Sequence, residues 1–292
     1  MKNIRSVLTA AIVKAAIRFG DRKTLLGMSD RIERLGGIGS NLIPPKEMWA
    51  AYGSANLFES ALAHFKYFLD FGGLNRDASV LDIGCSIGRM AYPLTAYLNA
   101  DARYEGFDIV PSSIEYCQTH ISPSFPNFTF QLADIFNAYY NPNGRSQPDK
   151  YRFPYDDAQF DLIFSTSVFT HLKPGAIQNY LNETARVLKP GGFALNTFLL
   201  IDDQTLGALE RGETKVRLPY EREGYRVGSR KAEEAVVAVD ESTVRELHKE
   251  SGLTIVEPIL RGHWRHKEVP ARTYYKSAKG YYAYQDMVVA TR

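Results

Sequence analysis

Short apolar runs of strand length, separated by stretches with helical periodicity, constrain this chain more than any other feature. The runs are Ser79–Ile83, Tyr104–Ile109, Phe128–Leu132, Phe160–Ser165 and Gly192–Leu200. Strands that alternate with helices pair in parallel and carry helices on both faces, so the expected class is α/β, a doubly wound sheet. Two further runs, Leu253–Leu260 and Gln285–Ala290, bring the strands to about seven. In such a sheet a ligand lies beyond the carboxyl ends of the strands, and functional residues are sought there.

The stretch Val80–Leu94, VLDIGCSIGRMAYPL, is the clearest unit. A strand breaks at Gly84 and passes into a helical pattern with Met90, Leu94 and Leu98 on one face. Gly84 and Gly88 bracket a turn that needs positive φ or close approach of a ligand. Pro93 falls where a helix begun near Arg89 or Met90 still has unpaired N–H groups, so the missing donor costs little. The spacing is G-x-x-x-G with Asp82 two residues ahead of Gly84, unlike the G-x-G-x-x-G that seats a dinucleotide pyrophosphate. An acid at that strand end repels a pyrophosphate and suits a ligand with an ammonium group.

These residues resemble the first motif of the class I S-adenosylmethionine-dependent methyltransferases, D/E-x-G-x-G-x-G, with Ser86 at the middle glycine. The resemblance continues through FDLIFSTSVFTHL (Phe160–Leu172) and ARVLKPGGFALNTF (Ala185–Phe198), and covers about Ser79–Leu200. It implies a Rossmann-like sheet, mostly parallel with an antiparallel last strand, and S-adenosylmethionine as cofactor. The residues it places at the cofactor are Asp82, Gly84, Cys85, Ser86, Gly88, Asp108, Ile109, Ala133, Asp134, Ile135 and Ser165. Asp108 ends the second strand, 26 positions after Asp82, where a carboxylate can accept from both ribose hydroxyls. Asp134, after the third strand, can accept from the adenine amino group, or alternatively cap a turn.

Composition excludes some classes. With 35 Lys and Arg against 33 Asp and Glu, no strong field exists to hold a polyanion, and nucleic acid is not expected as a partner. Only Cys85 and Cys117 are present, without metal or redox spacing, which fits free thiols in a reducing cytoplasm. The apolar run Val7–Val13 is interrupted by Lys14 and is too short to span a bilayer, so it reads as a retained helix and no transmembrane segment is expected. Residues 1–75 are expected to be a helical extension that covers the pocket, with a homo-oligomer through these helices as one use of them. Residues 76–292 are expected to be the methyltransferase domain, with insertions near 137–157, 201–239 and 261–284. The charged 201–239 segment reads as a lid or a solvated excursion. Asp240 reads as the N-cap of a helix over Glu241–Ser251.

Methyl transfer from a sulfonium is an in-line displacement that needs alignment and a dry pocket. A hydroxyl acceptor also needs a base, and His171, after the fourth strand, is the first candidate, with His263 and His266 in RGHWRH behind it. A histidine packing or capping at the following helix start is the other reading of His171. No metal is expected. The expected activity is methylation of a small molecule, with a hydroxyl of a sugar, glycan or natural product favoured. The rival readings are a non-catalytic cofactor-binding subunit and an NAD(P)-dependent oxidoreductase.

Overall fold

The computed structural model describes residues 57–267 and 283–292. The expected N-terminal helices ahead of residue 57, the oligomer contacts assigned to them and most of the 261–284 connection lie outside the described residues. The described chain forms two compact units, one of residues 57–70 and 74–132, the other of 71–73 and 133 onward.

The first unit holds helix α1 (Leu57–Phe71, to residue 70), strand β1 (Ser79–Ile83), α2 (Ala91–Tyr97), β2 (Arg103–Asp108), α3 (Pro111–His120) and β3 (Phe128–Leu132). β1 pairs in parallel with β2, and β2 with β3, in a register that sets Asp82 opposite Gly106 and Asp108 opposite Leu132. Apolar residues with helical spacing bury Ala61, Phe65 and Phe68 of α1, and the Phe65 ring meets Tyr97 edge-on at 5.1 Å. Pro93 sits in the first turn of α2, where it forfeits no helical bond.

The second unit holds β4 (Phe160–Ser165), α4 (Pro174–Val187), β5 (Leu188–Phe198), β6 (Leu200–Ile201), α5 (Asp203–Glu210), β7 (Tyr220–Arg222), β8 (Tyr225–Val227), β9 (Val237–Asp240), α6 (Glu241–Glu250), β10 (Thr254–Ile255) and β11 (Asp286–Thr291). β4 and β5 are parallel, while β11 runs antiparallel to β5 from Asp286 opposite Phe198 to Thr291 opposite Phe193. β1 to β5, β10 and β11 make a seven-stranded sheet, mostly parallel with an antiparallel last strand, as expected. No helix among the described residues is long and apolar enough to cross a membrane.

Four expectations are corrected here. The 201–239 segment is no solvated excursion: β6, β9, β8 and β7 form a second sheet of four strands. Its own core buries Leu199, Ile201, Leu218, Ala238 and Trp264. The expected strand Leu253–Leu260 shrinks to Thr254–Ile255 and a single bridge from Leu260 to Met287, because Pro258 brings no N–H to a ladder. Asp240 stands at the N-cap of α6, but its side chain makes no cap hydrogen bond. The fifth strand also starts earlier, at Leu188, with a register shift against β4 between Phe160 and Leu162, and Leu200 passes to the second sheet.

Both sheets meet at a buried charge. Asp286, at 0% exposure, accepts from Leu200 N–H (2.8 Å), Gly262 N–H (2.8 Å), Trp264 Nε1–H (2.7 Å) and Arg265 Nη2 (2.8 Å). Arg265 also reaches Asp202 at 3.1 Å, and Asp202 caps α5 by accepting from Thr205 N–H. Four donors on one carboxylate are what a charge in this position needs to be tolerated.

Candidate cofactor and acceptor residues

In the first unit, the turn after β1 is built by left-handed backbone: Gly84 has φ 75°, Ser86 49° and Gly88 76°. The motif's usual middle glycine is thus replaced by a serine in a conformation that favours glycine, which accounts for the family preference at that place. Gly84 and Cys85 donate their N–H groups to the Phe107 carbonyl at 2.9 and 3.1 Å, which ties the turn to the end of β2. Gly88 is fixed by packing as well, since a Cβ there would stand 2.4 Å from Ile121 Cδ1. Cys85 is buried and Ile109 half-buried.

Asp108 closes the same turn. Its carboxylate accepts from Ser86 N–H at 2.8 Å and from Val110 N–H at 2.9 Å. Burial raises its pKa, and the N–H groups of Val110, Ser86 and Ile109 oppose that by stabilising the charge. A carboxylate has about four acceptor sites, so lone pairs remain for hydroxyl donors. Ser86 Oγ is buried without a partner, a polar atom left over in the glycine turn that a ligand hydrogen bond would satisfy. Asp82, 1% exposed, accepts from the Tyr104 hydroxyl at 2.6 Å, and burial pushes its pKa up to about 7 despite that bond and the nearby Arg89 charge. An acid held at this threshold ionises readily when a cation approaches. Cofactor ribose and ammonium groups therefore fit the donors and acceptors present.

In the second unit, Ala133 and Ile135 are buried and flank Asp134. Arg145 engages both Asp134 oxygens, through its backbone N–H at 3.2 Å and through its guanidinium. That contact holds the Asp134 pKa below the ordinary carboxylate value. Asp134 thus anchors the loop that follows β3, and an adenine amino group would share an oxygen with Arg145. Ser165, fully buried at the end of β4, donates its hydroxyl to Asn196 Oδ1 at 2.8 Å.

His171 ends a 3-10 turn, Phe169–His171, and is half-buried. It does not cap α4, whose N-cap is Lys173. Instead its Nδ1 donates to the Glu234 carbonyl at 2.9 Å, which in the neutral ring leaves the lone pair on Nε2. Burial lowers its pKa, with the Glu234 and Ala235 carbonyls acting against the shift. His263 is placed otherwise: Lys215 Nζ lies 2.9 Å from its Nδ1, and burial together with that ammonium lowers its pKa to about 4. A ring so weakly basic, beside a fixed cation, is a poor proton acceptor. His266 is exposed. Among the described residues no group of three or more His, Cys, Asp or Glu could hold a metal ion.

Residues 80–192 match the family model described as a methyltransferase domain. The chain carries a class I S-adenosylmethionine-dependent methyltransferase domain. Its cofactor is S-adenosylmethionine. The tRNA N(3)-cytidine methyltransferase METTL2 of Gallus gallus is 25% identical over 134 residues, 43% of this chain and 31% of that protein. The phthiotriol/phenolphthiotriol dimycocerosates methyltransferase of Mycobacterium tuberculosis is 29% identical over 125 residues, 43% of this chain and 37% of that one. The methyltransferase domain thus aligns with less than two thirds of the length of these relatives. The Haloferax volcanii methyltransferase solved with the Trm112 activator is similar in fold, with TM-score 0.52 and 16% identity over 85% of this chain and 98% of that one.

Sequence reasoning missed Glu234, which sits in the charged insertion and whose carbonyl sets the His171 tautomer from 63 positions away. No local signal marks it. Tyr104, the partner of Asp82, was legible only as a strand residue.

Proposed function

We propose that the chain is an enzyme that transfers the methyl group of S-adenosylmethionine to a hydroxyl of a small molecule, a sugar, glycan or natural product. When bound, the cofactor supplies a methyl group made electrophilic by its sulfonium. The acceptor oxygen would take that methyl group with the thioether as leaving group, and Nε2 of His171 would accept the hydroxyl proton. The observation that carries this reading is the Nδ1–H bond to the Glu234 carbonyl, which presents Nε2 as a lone-pair nitrogen.

Asp108 and the Ser86 turn would hold the ribose, and Asp134 the adenine. The formal net charge of +2 favours a small acceptor over RNA, even though METTL2 is named for tRNA. Both cysteines are buried and unpaired, in keeping with a cytoplasmic location. The test is turnover of a panel of hydroxylated small molecules and of unmodified tRNA by wild type, His171→Ala and His171→Gln. A loss of about 10² to 10⁴ in turnover in both variants, at constant affinity for S-adenosylhomocysteine, is expected. Full activity in His171→Gln, or methylation of tRNA alone, would overturn the reading.

A further inference from the structure

The glycine turn of the first unit is followed directly by a cation, Arg89, half-buried at the entry to α2. Its Nη1 donates to Ser60 Oγ of α1 at 3.4 Å, a long bond to a neutral acceptor. Among the described residues its guanidinium makes no other hydrogen bond and has no carboxylate within ion-pair distance. A guanidinium carries five N–H donors in a planar fork, so most of them are uncommitted. Burial lowers the Arg89 pKa, as it does for a cation drawn partly out of water with no counter-charge in contact.

The groups around Arg89 narrow what it can bind. His64, also on α1 and 8% exposed, donates through Nδ1 to the Ser60 carbonyl at 2.8 Å. Burial and the Arg89 charge lower its pKa to about 4, so it is neutral. Asp82 stands seven positions before Arg89, at the other end of the turn, and accepts from the Tyr104 hydroxyl at 2.6 Å. Arg89 and Asp82 form no ion pair, yet the Arg89 charge pulls the Asp82 pKa down against burial. An acid and a cation within each other's field, each short of a full counter-charge, complement a zwitterion. The amino-acid end of S-adenosylmethionine is one, with its ammonium and carboxylate on a single carbon. The ammonium suits Asp82, whereas Asp82 and Asp108 would both repel the carboxylate.

Resting on S-adenosylmethionine as the cofactor, we infer that Arg89 is the seat of the cofactor's carboxylate, and that with Asp82 it reads the ammonium and the carboxylate as a pair. Two parallel N–H···O bonds from one guanidinium to one carboxylate are the strong form of this contact, and the uncommitted donors of Arg89 allow it. Ser60 acts on the cofactor only through Arg89: its hydroxyl holds one corner of the guanidinium from α1 and so is a positioning group. The same pair sets the specificity. A ligand that kept the ammonium and lost the carboxylate would meet Arg89 as a repelling charge.

The test is calorimetry on the full chain with S-adenosylhomocysteine and with its decarboxylated form, an amine that lacks only the carboxylate. Wild type should bind S-adenosylhomocysteine at least about tenfold more tightly than the amine. Arg89→Met, close in length and without charge, should lose at least about tenfold in affinity for S-adenosylhomocysteine. It should bind the amine as tightly as wild type does, or more tightly, because the repelling cation is gone. Arg89→Lys keeps a point charge without the fork and should fall between the two, and it carries the comparison where Arg89→Met does not melt cooperatively. Arg76→Met, which removes an exposed cation of the same unit away from the turn, should leave both affinities unchanged. Equal losses for the two ligands in the Arg89 variants would make Arg89 structural. The same loss in Arg76→Met, or a wild type that binds the two ligands alike, would also overturn the carboxylate seat. Failure of wild type to bind either ligand would instead remove the cofactor reading beneath it.

Discussion

Replacing Asp108 by asparagine separates two tasks of the carboxylate, one seen in the structure and one proposed. One is to hold the turn, through Ser86 N–H at 2.8 Å and Val110 N–H at 2.9 Å, one on each oxygen. Asparagine keeps one oxygen and sets an NH₂ where the other stood, so one backbone N–H faces a donor instead of an acceptor. An unsatisfied buried donor costs about 1–3 kcal/mol. At roughly 2–4 °C per kcal/mol for a chain of this size, the melting temperature should fall by about 2–12 °C. The second task is ribose binding, where loss of the charge removes hydrogen bonds of about 1.5–3 kcal/mol each, offset in part by water. The dissociation constant of S-adenosylhomocysteine should rise at least about tenfold. Scanning fluorimetry reads the first effect and calorimetry at a temperature well below the melt reads the second. A lowered melt with unchanged affinity would refute the ribose role and leave Asp108 a turn anchor. An unchanged melt would refute the account of the turn.

Gly88→Ala should lower the melt by several degrees even without ligand, because the new Cβ meets Ile121 Cδ1 at 2.4 Å at φ 76°. Ser86→Gly should stabilise the fold by roughly 1 kcal/mol by relieving the left-handed backbone at that position, and a lower midpoint in urea would count against strain. Asp286→Ala leaves the buried Arg265 with Asp202 as its remaining carboxylate partner and three further donors unmet, a loss of about 3–5 kcal/mol readable in a denaturant series. The folded-state pKa of Asp82 is raised to about 7 from 3.8, so the folded state holds the proton more tightly than the unfolded one and stability should fall as pH rises from about 4 to about 7. Asp82→Asn should abolish that part of the slope, and an identical slope in the variant would assign it elsewhere.

Much of the fold was legible because β1 and β4 are largely buried apolar runs and β3 alternates buried Phe128 and Phe130 with exposed Thr129 and Gln131. Ser79–Ile83, Phe128–Leu132 and Phe160–Ser165 fall where the apolar runs put them, each bounded by turn-forming residues. The second sheet was not legible for the opposite reason. Its hairpin strands, Tyr220–Arg222 and Tyr225–Val227, are three residues each and carry Glu221 paired to Arg226 on an exposed face. Period-two alternation over three residues cannot be told from a charged loop. The long-range partners that complete this sheet, Trp264 and Asp286, lie far along the chain.

At the site, position was legible and partnership was not. Asp108 could be placed by counting from Asp82, but that it spends one oxygen on Ser86 N–H follows only from the way β1 and β2 lie side by side. The same contact explains how the turn tolerates a serine where the motif has glycine. Positive φ at Ser86 costs about 1–3 kcal/mol in isolation, and a charged acceptor on its N–H returns a similar amount. The orphaned Ser86 Oγ is what remains unpaid in that exchange. A ligand that satisfied it would bind a turn already shaped and held, so the departure from glycine gives the turn one more polar group with which to meet the cofactor.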